Sequence, residues 1–250
     1  MDELLKGKVA IITGAGGALG SGTAYGLAKA GASVVIADVK GTTETARKIE
    51  QAGGKGLAVQ CDVSKKAEVD AMVAQAAGTF GGVDILINNA AIYPSHPWTE
   101  ITEEEWDRVF EINIKGYYLC ARACHDHFKA RGGGKIVNIS SVTFFLGAWG
   151  NLLHYVSTKG AVVGFTRALA RELGPENINV NCIAPGAFPT DAEKIHPDPV
   201  GYNKFVLENQ MLKRRGTSAD IANAVLFLVS PLSDFITGQT LLVDGGWVTN

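Results

Sequence analysis

The sequence predicts an α/β fold, a doubly wound parallel sheet of seven strands with helices on both faces, forming a three-layer sandwich. Three observations predict it. Short runs rich in Val, Ile and Leu recur seven times along the 250 residues. Most of them are continuously apolar rather than alternating, the pattern of strands covered on both faces. Longer stretches with apolar residues at helical spacing separate them, and such alternation indicates βαβ units.

The elements follow in order. KVAIIT (8–13) is the first strand, and TGAGGALG (13–20) leaves it to open the first helix. SVVIAD (33–38), LAVQCDV (57–63), VDILINNA (83–90), KIVNIS (135–140), INVNCIA (178–184) and QTLLVD (239–244) are the remaining strands. Helical spacing covers 65–80, 103–130 and 156–173, and Thr102 with Glu105 makes a capping box at the start of the second. The region 186–216 breaks the alternation. Its prolines and mixed polarity predict a loop with a short helix, placed as a lid over a site. No repeat and no dividing linker is present, so 1–250 is expected to form one domain.

Composition excludes several function classes. The formal net charge is −2, with 46% hydrophobic and 19% charged residues. No lysine or arginine cluster offers a nucleic-acid surface, which would need concentrated cations. No stretch approaches the ~20 apolar residues of a membrane helix, and MDELLKGKVAIITG is not a signal peptide. The expectation is a soluble, cytoplasmic protein. Four cysteines do not make a disulfide framework in a chain of this size. CARACHDHF holds Cys120, Cys124, His125 and His127, but His125 points about 100° from the cysteine face on a helix. No metal site is expected.

A turn such as TGAGGALG exposes backbone N–H groups at the positive end of a helix dipole, and both favour a pyrophosphate. Gly14, Gly16, Gly17, Ala18, Leu19 and Gly20 are the candidate contacts, with Gly14-x3-Ala18-x-Gly20 one residue longer than G-x-G-x-x-G. Asp38 ends the second strand, where a carboxylate accepts from adenosine ribose hydroxyls and repels a 2′-phosphate. Val39 follows it rather than arginine, which favours NAD over NADP. Tyr155 and Lys159 stand four residues apart, on one face if helical. An ammonium beside a phenol favours the phenolate and lowers its pKa.

In these residues the chain resembles the short-chain dehydrogenase/reductase family, nearly end to end. TGAGGALG occupies the place of the family's T-G-x3-G-x-G turn. CDV, with Asp62 and Val63, resembles its adenine-contacting segment, and NNAA, with Asn89, Ala90 and Ala91, its N-N-A-G motif. FEINIKG carries Asn113 at the catalytic-helix asparagine, NISS carries Ser141 at the active-site serine, and YVSTK resembles Y-x3-K. PGAFPT, with Pro185, Gly186, Phe188 and Thr190, is similar to the segment that meets the nicotinamide. The resemblance implies a Rossmann-like fold binding NAD. Tyr155 would be the general acid/base, Ser141 would hold the substrate oxygen, and Lys159 would tune Tyr155 and hold the nicotinamide ribose. Asn113 would hold a water linking Lys159 to solvent. The sequence departs from the family pattern at Ala18, at Ala91, and in one extra residue between Ser141 and Tyr155, which predicts a bulged loop.

The substrate pocket is expected from 92–98, 142–149 and the lid, with Tyr93, Phe144, Trp149 and His154 lining it and Trp98 and Phe145 nearby. That much aromatic area suits a hydrophobic or aromatic alcohol and its ketone. These segments look most like those of family members acting on 1-phenylethanol and on pyridoxal. A sugar or polyol dehydrogenase and a 3-oxoacyl-carrier reductase are the alternatives on this fold, as is a non-catalytic nucleotide-sensing regulator. Lys194, His196, Lys213, Arg214 and Arg215 are candidates to meet an anionic group. Family members are usually homotetramers, which implies contacts through 103–130, 155–173 and QTLLVDGGW.

Overall fold

The structure is a computed structural model that describes residues 3–148, 150–190, 193 and 198–249. Its sheet contains β1 (Val9–Thr13), β2 (Ser33–Asp38), β3 (Lys55–Gln60), β4 (Ile85–Asn88), β5 (Gly134–Ile139), β6 (Ile178–Pro185) and β7 (Thr240–Val243). All pairs are parallel, in the order β3-β2-β1-β4-β5-β6-β7. The helices are α1 (Ala18–Lys29), α2 (Thr42–Gln51), α3 (Lys66–Phe80), α4 (Glu103–Phe110), α5 (Gly116–Ala130), α6 (Thr143–Leu146), α7 (Leu153–Leu173), α8 (Pro199–Asn209) and α9 (Ser218–Val229).

The period of two along each strand sorts its side chains into two cores. Ala10, Ile12, Val34, Ile36, Ile85 and Ile87 face one side, packed with Leu27 of α1 and Ile221 and Val225 of α9. Ile11, Val35, Leu86, Ile136 and Val180 face the other, packed with Met72 of α3 and Cys120, Cys124 and Phe128 of α5. Both faces are therefore apolar, and the expected seven-stranded three-layer arrangement is the one observed. Cys120 and Cys124 are core side chains, and the nearby His125 pairs with Glu176 at 2.8 Å. Among the described residues no helix is long and apolar enough to cross a membrane.

Boundaries differ where chain leaves the sheet to build the site. The third strand stops at Gln60, so Cys61, Asp62 and Val63 lie beyond its carboxyl end. The helical stretch 103–130 is not uniform. Glu111–Lys115 is wound as a π-helix between α4 and α5, and Asn113 sits in this wide turn. Such an insertion re-aims side chains and often marks a functional position. The extra residue before Tyr155 falls in a coiled connection containing α6 and left-handed backbone at Gly147, Ala148, Gly150 and Asn151. In the proposed lid, Asp198 caps α8 by accepting from Gly201 N at 2.9 Å.

Candidate active site

Strand order reverses between β1 and β4, and a crevice opens there, outside the carboxyl ends of the strands. Its volume is about 680 Å³. The glycine-rich turn forms one wall, with the first turn of α1 behind it. Gly14 has φ 65, and a Cβ there would stand 2.7 Å from Ala90 Cα. A Cβ on Gly16 would collide with the Lys40 carbonyl. Only hydrogen fits at both positions, because the turn is pressed against neighbouring backbone. The 88–91 segment braces it: Asn89 Nδ2 donates to Thr13 O at 2.9 Å and to Gly14 O at 3.0 Å.

Two carboxylates stand along this wall. Asp38 Oδ2 accepts from Gly16 N at 2.9 Å and Oδ1 from Lys40 N at 3.3 Å, so the backbone orients it while each oxygen keeps a lone pair. Asp62 accepts from Ser64 N at 3.0 Å, from Ser64 Oγ at 2.7 Å, and from the Arg108 guanidinium at 3.0 Å. Burial would raise its pKa, but the Ser64 and Arg108 contacts outweigh that and hold the carboxyl below its usual range. Every residue expected to meet a dinucleotide borders the crevice: Gly14, Gly16, Gly17, Ala18, Leu19, Gly20, Asp38, Val39, Asp62, Val63, Asn89, Ala90, Ala91, Tyr155, Lys159, Pro185, Gly186, Phe188 and Thr190.

At the far end α7 presents Tyr155 and Lys159 on the same face. Ser141 faces them from the segment after β5, which is tied to β6 by Ser140 N to Ile183 O at 2.7 Å and Val142 N to Pro185 O at 3.0 Å. Ser141 Oγ accepts from Thr143 N at 3.2 Å, and its hydroxyl acts on the Tyr155 phenol in favour of the phenolate. The expected lowering of the Tyr155 pKa is not found. Burial pushes it up to about 12; the Ser141 contact opposes this weakly. Lys159 does not offset the burial. Lys159 Nζ donates to Ile139 O at 2.8 Å, a carbonyl that also accepts from Tyr117 Oη at 3.0 Å, and lies 5.5 Å from the Tyr155 ring centroid. Burial in turn lowers the ammonium to about 8.

Asn113 is fixed on both sides. Its Oδ1 accepts from Ile92 N at 2.9 Å, and its Nδ2 donates to Ile92 O at 2.9 Å and Thr158 Oγ1 at 3.1 Å. Both amide hydrogens are committed, so the side chain is a strut between the crevice wall and α7, and the acceptors left to it for a water are the second lone pair of Oδ1 and its own backbone carbonyl.

The expected substrate pocket is only partly assembled. Tyr93 borders the crevice and meets Tyr155 edge to face, with centroids 6.2 Å apart. Phe144 does not border it; α6 turns the ring onto Phe145, centroids 3.9 Å apart, and against the Val162 core. His154 does not either, being wholly buried in the first turn of α7 with both ring nitrogens bonded. Trp149, Lys194 and His196 lie outside the described residues. Lys213 donates to Leu207 and Gln210 carbonyls, Arg214 forks onto Asp220, and Arg215 bonds Asn203 and Glu193. The crevice also gathers Ile92 and Tyr202, from the expected 92–98 segment and lid, and Leu152 and Trp247, which the sequence reading missed. Tyr202 and Trp247 come from segments remote in sequence, and no motif marks them.

Comparison with known proteins agrees with this geometry. A family profile described as enoyl-(acyl carrier protein) reductase matches residues 14–248. The chain is 37% identical to the 2-dehydro-3-deoxy-D-gluconate 5-dehydrogenase of Escherichia coli (strain K12), over 98% of this chain and 96% of that protein. It is 39% identical to the (2S)-[(R)-hydroxy(phenyl)methyl]succinyl-CoA dehydrogenase subunit BbsD of Thauera aromatica, over 97% of each. A crystal structure assigned as a short-chain alcohol dehydrogenase of Sinorhizobium meliloti 1021 superposes with a TM-score of 0.93 at 35% identity, covering 97% of each chain. With a nucleotide-sized crevice at the sheet's switch point and a serine, a tyrosine and a lysine at its end, this oxidoreductase chain belongs to the short-chain dehydrogenase/reductase family.

Proposed function

We propose that this protein is an NAD-dependent oxidoreductase interconverting an apolar or aromatic secondary alcohol and its ketone, with Tyr155 as general acid/base. One observation carries the substrate class. The crevice lining includes Ile92, Tyr93, Val142, Leu152, Ala187, Phe188, Tyr202 and Trp247, with Tyr93 edge to face on Tyr155. Among the described lining residues the cations are Lys40, Arg108 and Lys159. Lys40, whose backbone N–H meets Asp38, and Arg108, on Asp62, belong to the nucleotide wall, and Lys159 spends one of its three donors on Ile139 O. A neutral carbinol with an apolar body suits such a wall. The relative named for a hydroxy(phenyl)methyl substrate supports the same class.

The residues suit a dinucleotide. The turn's glycines leave no side chain between backbone and ligand. Asp38 is oriented with lone pairs to spare for ribose hydroxyls and would repel a 2′-phosphate, which is the basis for NAD. The nicotinamide, when bound, supplies hydride acceptance or donation. Tyr155 Oη takes the carbinol proton in oxidation and returns it in reduction. Ser141 Oγ, whose lone pair is engaged by Thr143 N–H, directs its own proton toward the substrate oxygen and steadies charge there. Lys159 holds the ribose and supplies a positive charge beside Tyr155. Asn113, through Ile92 and Thr158, keeps the crevice wall in register with α7. In this reading residues 1–250 act as one NAD-binding domain, and 186–216 is its substrate lid. Exposed Leu232, Phe235 and Leu241 near β7 support burial between subunits of a homotetramer, to be checked by light scattering.

A second reading has a specific observation behind it: two Escherichia coli relatives, at 37% identity, are named for sugar acids. Absorbance of the reduced cofactor separates the two, with 1-phenylethanol and D-gluconate tested against NAD and NADP, and acetophenone and 5-keto-D-gluconate against NADH and NADPH. Turnover of the benzylic pair with NAD supports the first reading. Turnover confined to the sugar acids replaces it with the second. Nucleotide binding without turnover of any of them refutes both and favours a nucleotide sensor.

A further inference from the structure

Next to Tyr155, among residues that do not line the crevice, lies a polar cluster that the acid/base chemistry does not use. His154 precedes it in α7, wholly buried. Its Nδ1 stands 2.9 Å from Tyr155 N, and its Nε2 stands 2.9 Å from Glu105 Oε1. A backbone N–H can only donate, so Nδ1 is the acceptor and Nε2 carries the hydrogen. The neutral ring therefore donates to Glu105. His96, from the segment that follows Tyr93, brings Nδ1 to 2.9 Å from Glu105 Oε1 and 2.8 Å from Oε2. Its backbone N–H donates to Asn151 O at 2.9 Å, next to crevice-bordering Leu152. Glu105 is itself fixed, since its N–H donates to the Thr102 cap at 3.2 Å. The bonds from His96 and His154 outweigh desolvation and hold its carboxyl below the usual range, so it is an anion at neutral pH.

We propose that Glu105 and His154 are positioning residues for proton transfer: the carboxylate orients the imidazole, and the imidazole fixes the first turn of α7 from which Tyr155 projects. A carboxylate that orients a histidine is a familiar way to lock a ring whose other nitrogen is in use. What is unusual here is the recipient, a backbone N–H of the reacting residue. Helix first turns leave their N–H groups without partners, so a side-chain acceptor there sets how the turn begins. A turn that rocks by about 1 Å at Tyr155 moves Oη relative to Ser141 by at least as much, and misplacement on that scale costs roughly 10²-fold in turnover. The same carboxylate ties down His96, so the wall carrying Tyr93 and the helix carrying Tyr155 share one anchor.

The inference rests on Tyr155 being the proton-transfer group, so Tyr155→Phe is the control. The variants are Glu105→Ala, Glu105→Gln, His154→Asn and Glu105→Ala/His154→Asn. Turnover of 1-phenylethanol, or of the best substrate in the panel above, is measured with NADH affinity by fluorescence and fold by circular dichroism. In His154→Asn the shorter amide can still accept from Tyr155 N–H but cannot reach Glu105. In Glu105→Gln the amide oxygen can still accept from His154. The expected result is a kcat lower by roughly 10- to 100-fold in Glu105→Ala and His154→Asn. KM and the NADH Kd should stay within about twofold of the native enzyme. Glu105→Gln should recover to within about threefold, and the double variant should be no worse than either single one, as for residues acting in one chain. A folded Glu105→Ala or His154→Asn with native kcat overturns the proposal, as do losses that multiply in the double variant. So does a Glu105→Gln as impaired as Glu105→Ala. If Glu105→Ala does not fold, His154→Asn and Glu105→Gln still decide. Appreciable activity in Tyr155→Phe would instead overturn the role given to Tyr155.

Discussion

Replacing Lys159 by methionine tests whether its charge, beyond its bulk, serves Tyr155. Methionine keeps most of the buried stem and removes the cation. Burial leaves Tyr155 at about 12 with Nζ bonded to the Ile139 carbonyl. Rotation about the last bonds of the lysine turns Nζ from that carbonyl toward the hydroxyl, and its present 5.5 Å from the ring sets an outer scale for the interaction. At an effective dielectric of about 20, a unit charge at that range stabilises a phenolate by about 3 kcal/mol. That is roughly two pKa units, or a hundredfold in the phenolate fraction well below its pKa. Burial leaves the amine at about 8, so at pH 7 it is mostly ammonium and this contribution is available. Alcohol oxidation is followed by NADH absorbance at saturating NAD from pH 6 to 11. The rising limb of kcat/KM in Lys159→Met should lie about two units above that of the native enzyme. The deficit should be roughly a hundredfold at neutral pH and should shrink as pH rises. A deficit constant across the range, with the limb unmoved, would refute the electrostatic role and leave Lys159 as a ribose holder only.

Other residues give independent tests. Asp38→Ala removes the oriented acceptor and the repulsion of a 2′-phosphate; fluorescence titration should show NADH affinity falling roughly tenfold or more and NADPH affinity rising. An unchanged ratio of the two would count against the ribose contact. Asn113→Ala strips both backbone groups of Ile92 of their partners, and urea unfolding should show a loss of about 2–3 kcal/mol. Asp220→Asn weakens the capping box with Thr217 and the fork from Arg214 at the start of α9, costing about 1 kcal/mol in the same assay. Arg214 and the Thr217 cap hold the Asp220 carboxyl well below its usual 3.8, so this stability is present above that pH. It is lost as pH falls toward the lower native value, and the variant should lack that part of the acid limb.

The fold was legible because both faces of the sheet are covered. Continuous apolar strands such as VAIIT and VVIA have no reading as exposed surface, and the glycines of 14–20 announced a backbone pressed against its neighbours. The dinucleotide wall was legible for the same reason: it is local chain, each segment following its own strand. The substrate end was not. Phe144 and His154 are near Tyr155 in sequence, yet α6 and the first turn of α7 rotate them away from the crevice. Tyr202 and Trp247 arrive there from α8 and from beyond β7, a juxtaposition that only tertiary packing decides.

The tyrosine and lysine mark the limit most sharply. A spacing of four residues places two side chains on one helix face, but it does not choose the rotamer of a chain with four rotatable bonds. Here Lys159 reaches a buried carbonyl, a strong acceptor near the end of β5, in preference to a phenol that offers it less. Burial also acts on the two residues in opposite senses. It raises the phenol to about 12 and lowers the ammonium to about 8, favouring the uncharged form of each. Moving a phenol from about 12 to about 7 takes roughly 7 kcal/mol, and the ammonium supplies less than half of it. On the role proposed for Tyr155 the remainder would be supplied by a second positive charge, such as an oxidised nicotinamide ring carries. Proton release would then be tied to a bound nucleotide, and burial alone keeps the phenol protonated.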